Sequence, residues 1–132
     1  MSTLAATVES IQSNDGLNIV TFALGEQALS MVSLELDEAL SVGSKCLLGV
    51  NASSVAIGKN LSGMLSYSNQ LSARITAIES GELLARIVLD ISGNRLESLI
   101  TLASCKRLGL KRGDEVTALI KGTELSVSRV LA

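Results

Sequence analysis

The chain is written twice. Leu4-Ala5-Ala6-Thr7-Val8-Glu9-Ser10-Ile11 aligns with Leu71-Ser72-Ala73-Arg74-Ile75-Thr76-Ala77-Ile78, and Gly25 aligns with Gly93. Further on, Val42-Gly43-Ser44-Lys45 matches Arg112-Gly113-Asp114-Glu115, and Val50-Asn51-Ala52-Ser53 matches Ile120-Lys121-Gly122-Thr123. The offset drifts from 67 through 68 to 70 residues, as small loop differences allow. Two copies make a tandem duplication, not a solenoid. The 132 residues therefore divide at 1–63 and 64–132. A domain half the chain's length buries too little surface to be comfortable alone. The copies are expected to pack on each other and on other subunits.

Each copy reads mostly as strands. Arg86 to Asp90 and Ile91 are rich in β-branched residues and end at Ser92-Gly93-Asn94, a turn signal. Leu96 to Thr101 follows, which makes a hairpin. Leu102 to Leu108 suits a short helix that stops at Gly109, a good C-cap residue. Glu115 to Lys121 and Leu125 to Val130 give two further strands. The expected fold is all-β: two tandem five-stranded barrels of the OB type, each with one short helix between its third and fourth strands.

Composition narrows the chemistry. The chain has no His, so the commonest metal ligand and general base are absent. Phe22 and Tyr67 are the only aromatic residues and the net charge is −2, a poor basis for stacking bases or holding phosphate backbones. Nucleic acid is not expected as a partner. Cys46 and Cys105 lack any metal spacing and read as small buried apolar residues. No signal peptide and no apolar run long enough to span a membrane are visible. A soluble, cytoplasmic, non-catalytic protein is the expectation, with no cation site and no organic cofactor.

What remains is a set of neutral donors and one lysine. Ser66 and Ser68 lie in the segment joining the copies, Thr101 and Ser104 lie at the start of the predicted helix, and Lys121-Gly122 ends a strand. Hydroxyls, backbone N–H groups and a cation suit a small tetrahedral oxyanion. Each also has an ordinary explanation, such as Thr101 serving as a helix cap.

Taken in order, these segments resemble the Mop or TOBE family of small oxyanion-binding OB domains, in its two-copy form. The resemblance covers the chain and is best in copy two. It rests on Asn69-Gln70-Leu71, on Ala85 to Asp90, and on the turn at Gly93. It continues through Thr101-Leu102-Ala103-Ser104 and the run from Leu108 to Lys121. The resemblance implies molybdate or tungstate as ligand, held at subunit interfaces in a dimer or a trimer of tandem domains. It carries binding roles onto Ser66, Ser68, Asn69, Thr101, Ser104, Lys121 and Gly122. The departure is Ser68, which stands where the family often has Arg. The string Ser72-Ala73-Arg74 comes six residues too late to restore it. Copy one is more diverged, with Ser33, Asn51 and Ala52 as its weaker counterparts. Storage, buffering or delivery of the oxyanion is the leading function. A stand-alone sensor acting through a protein partner, or a scaffold that has lost its ligand, are the alternatives.

Overall fold

The computed structural model describes residues 2–131. The first copy supplies β1 (Ser2–Asn14), β2 (Leu17–Leu24), β3 (Gln27–Ser33), β4 (Lys45–Val50) and β5 (Ala56–Gly58). The second supplies β6 (Asn69–Ser80), β7 (Leu84–Ile91), β8 (Asn94–Thr101), the helix α1 (Leu102–Leu108), β9 (Glu115–Ile120) and β10 (Ser126–Leu131). One 3-10 turn follows β4 at Ala52–Ser54, and another follows β9 at Gly122–Glu124.

The strand pattern follows side-chain alternation. Leu4, Ala6 and Val8 of β1 point inward, as do Leu71, Ala73 and Ile75 of β6. β1 and β6 are long because each serves two partners. The early part of β1 pairs with β4 and the later part with β2, and β6 likewise pairs with β9 and then β7. A bulge falls between Val8 and Ser10 in one strand and between Ile75 and Ala77 in the other. At equivalent places these bulges bend the strands and curl each sheet. The β7–β8 hairpin turns at Ser92-Gly93, both at positive φ, as a tight two-residue turn requires.

The two sheets are not the two copies. Their strand orders are β10-β4-β1-β2-β3 and β5-β9-β6-β7-β8. The last strand of each copy has crossed to the other sheet: β10 pairs with β4, and β5 pairs with β9. A cut between residues 63 and 64 separates the repeats but divides both sheets. The 3-10 turns carry the chain across, with Val55 and Leu125 buried just beyond them. One hydrophobic core runs through both halves, from Leu4, Phe22 and Leu48 to Ile87, Leu96 and Ile120. The exchange thus relieves the small size of each repeat by merging their cores.

One expected element is missing. The segment 34–44 of copy one forms turns, whereas its counterpart contains α1. That segment is two residues shorter and has no glycine at the stop position. The Ser33 hydroxyl donates to the Glu35 carbonyl, and the Asp37 carboxylate accepts from the Ala39 N–H at 2.9 Å. Such local turns compete with a helix. α1 is closed at both ends: Thr101 Oγ1 accepts from the Ser104 N–H, and Gly109 takes the left-handed conformation at φ +60°.

Candidate functional site

The sequence candidates fall into two clusters. Asn69 opens β6 opposite Ile120, the last residue of β9, so it lies beside Lys121 and Gly122. Thr101 and Ser104 start α1, which leads into the other end of β9. The two clusters therefore lie at opposite ends of the second sheet, separated by at least the length of β9, roughly 20 Å. A single chain does not bring all seven residues together.

The strand-end cluster is built around Ser30 of β3, a first-half residue that sequence reasoning missed. Asn69 is fully buried. Its side-chain oxygen accepts from the Ser30 N–H at 2.7 Å, and its amide donates to the Ser30 carbonyl at 2.9 Å. One N–H of the amide group that the resemblance offers as a donor is thus engaged in joining the halves. Gly122 is buried beside the same residue. A Cβ there would sit 3.1 Å from the Ser30 carbonyl oxygen and 3.3 Å from Val32 Cγ2, so glycine lets the turn approach β3 closely.

Lys121 is exposed at the mouth of this turn. Among the described residues no carboxylate pairs with it, as with Lys45, Lys106, Arg107, Lys111, Arg112 and Arg129, whereas Lys59, Arg74, Arg86 and Arg95 hold ion pairs. Ser66 and Ser68 are exposed on the segment leading into β6. Gln70 braces that segment by donating to the Tyr67 carbonyl at 2.9 Å. Gln70 was legible only as part of the Asn-Gln-Leu string. Arg74 lies inside β6 and is held by Glu115 at 2.8 Å, so Ser72-Ala73-Arg74 does not stand in for the string before the strand.

The α1 cluster is compact. Thr101 Oγ1 lies 2.9 Å from Ser104 Oγ, and Arg107 donates to Ser104 Oγ at 3.3 Å. Arg107 places a guanidinium beside the two hydroxyls, a charge that sequence reasoning did not assign there. Its spacing of three from Ser104 on a helix was the available signal.

The first-half counterparts differ. Ser33 is half-buried and engaged with Glu35, and Asn51 is exposed before the 3-10 turn, with Ala52 half-buried inside it. Cys46 and Cys105 are buried free thiols, and burial raises the Cys46 pKa. Among the described residues no group of three or more His, Cys, Asp or Glu is placed to hold a metal ion. No helix among them is long and apolar enough to cross a membrane.

Comparison with known proteins finds relatives in both sequence and fold. The TOBE domain model matches residues 65–127. Molybdenum-pterin-binding protein 1 of Clostridium pasteurianum is 39% identical over 64 residues, which are 48% of this chain and 94% of that protein. The molybdenum import ATP-binding protein ModC of Brucella abortus (strain 2308) is 35% identical over 106 residues. That match spans 79% of this chain but only 30% of the ModC protein. The solved structure of the cytoplasmic molybdate-binding protein ModG, with molybdate bound, superposes with a TM-score of 0.87 at 26% identity. The superposition covers 95% of this chain and 93% of that one.

Proposed function

The chain belongs to the Mop/TOBE family, and on that premise we propose that it is a non-catalytic binder of molybdate or tungstate. The observation that carries the proposal is the strand-end cradle. Lys121, exposed and paired with no carboxylate among the described residues, stands next to a glycine turn and a hydroxyl-bearing segment, with Asn69 fixing the wall behind them. Lys121 supplies charge, the Ser66 and Ser68 hydroxyls donate, and the backbone around Gly122 permits close approach. A tetrahedral dianion gains most from such charge-assisted bonds.

The cradle opens to the surface, so a second chain completes it and the ligand sits at a subunit interface. The ligand then stabilises the assembly by mass action. Thr101, Ser104 and Arg107 form a second donor set that faces a neighbouring chain in the same way. Storage, buffering or delivery in the cytoplasm fits a protein that holds an anion without transforming it. The likeness to a molybdenum import ATP-binding protein favours one further reading, a sensor acting through a protein partner. Oxyanion-dependent capture of such a partner distinguishes that reading from storage.

Equilibrium dialysis of the purified protein against molybdate, tungstate and sulfate tests the proposal. Saturable uptake of molybdate or tungstate, with sulfate much weaker, is expected. No uptake of any of the three overturns it.

A further inference from the structure

The duplication invites the assumption that each chain offers two equivalent strand-end cradles. The structure argues otherwise. Asn51 stands where the second half has Lys121, and Ala52 stands where it has Gly122. The first-half turn therefore has no cation and carries a side chain where its counterpart has bare backbone. Its Ser54 hydroxyl is also taken up, donating to Glu124 Oε2 of the second-half turn at 3.0 Å across the exchange between the halves. The first-half segment that stands in place of α1 is acidic: a groove of about 390 Å³ at the end of β3 is lined by Ser33, Glu35 and Asp37.

A missing cation, an added side chain and an occupied hydroxyl act together against a dianion at the first-half turn. We infer that each chain is single-sited at its strand ends: the second-half cradle takes the tetrahedral dianion, and its first-half copy is closed to it. This inference rests on the oxyanion reading above and specifies how that site is distributed. It also assigns the first half a role. The first half supplies Ser30 as the wall that Asn69 grips and donates β5 to the second sheet, while binding no anion of its own at the turn.

Counting bound molybdate per chain in the intact protein tests this, by dialysis with elemental analysis. Wild-type protein is expected to hold one strand-end equivalent per chain, and Lys121→Asn, which gives the second half the first half's residue, is expected to lose it. Lys121 is exposed, so the fold survives the change, as circular dichroism will verify. The inference is overturned by an equivalent that survives in Lys121→Asn and disappears in Lys121→Asn/Asn51→Ala. Absence of uptake by wild-type protein gives a different result, since it removes the oxyanion reading itself and this inference with it.

Discussion

Asn69 and Gly122 carry the most structural weight for their size. Asn69 joins two halves through one amide, and its partner Ser30 is a backbone group in the interior of an edge strand. Truncation to Asn69→Ala leaves that N–H and carbonyl without their partner, a cost of about 1–3 kcal/mol for a buried polar group. Urea denaturation is the measure, and an unchanged midpoint contradicts the assignment. Gly122→Ala pushes a methyl group against the Ser30 carbonyl and Val32, with an expected loss of roughly 1–3 kcal/mol from overpacking. Sequence reasoning placed Asn69 at a strand start and Gly122 at a strand end. Their shared contact was not legible, because Ser30 lies 39 residues before Asn69 and has no pattern of its own. The same holds for Gln27, whose side chain pairs with the Ser72 backbone at 2.7 and 3.1 Å, and for Asn94, which accepts from the Ala5 N–H. Gln27 and Asn94 occupy equivalent positions in the two copies, so the duplication preserved a clasp that only the fold displays.

At the scale of elements, α1 and its approach to β9 form one unit tied to the first half. Lys59, just beyond β5, donates to the Gly109 carbonyl at 2.9 Å and to the Asp114 carboxylate at 3.0 Å. Asp114 also accepts from the Lys111 N–H. The hydrogen bond from Lys59, followed by that from Lys111, holds the Asp114 carboxyl below its ordinary value. A lowered folded pKa adds stability above the unfolded value, near pH 4, and that contribution is lost as pH falls through the folded value. Asp114→Asn is therefore expected to lower the melting temperature at neutral pH and to flatten its fall as pH drops below about 4, where the wild-type contribution is itself being lost. An unaltered acid limb contradicts the strap. The helix itself was legible, since Thr101 and Gly109 mark its ends. The missing helix of copy one was not foreseen. The duplication suggested equivalence, but Asp37 and Ser33 bond locally and the shorter segment lacks a glycine stop. The strand read at Leu125 to Val130 is present as β10, with a register shift between Val127 and Arg129 that breaks its regular alternation.

For the whole molecule, the exchange of β5 and β10 turns two marginal repeats into one cooperative body. The strand count, the all-β class and the duplication were readable from alternation and turn residues. The exchange was not, because the alternation within a strand says which face is buried and not which sheet edge the strand joins. Unfolding should give one transition, with calorimetric and van't Hoff enthalpies in agreement. Two resolved transitions contradict a shared core. Deleting residues 126–132 should unfold both halves together, since β4 loses its outer partner and Val127 and Val130 leave the core. The central claim is that this body carries an oxyanion on its second half, and calorimetric titration with molybdate tests it most directly. Wild-type protein should bind saturably, and Lys121→Ala should bind about tenfold to a hundredfold more weakly, as expected for one lost charge-assisted bond of roughly 1.5–3 kcal/mol. Equal affinity in the two proteins, or no heat of binding in either, contradicts the claim.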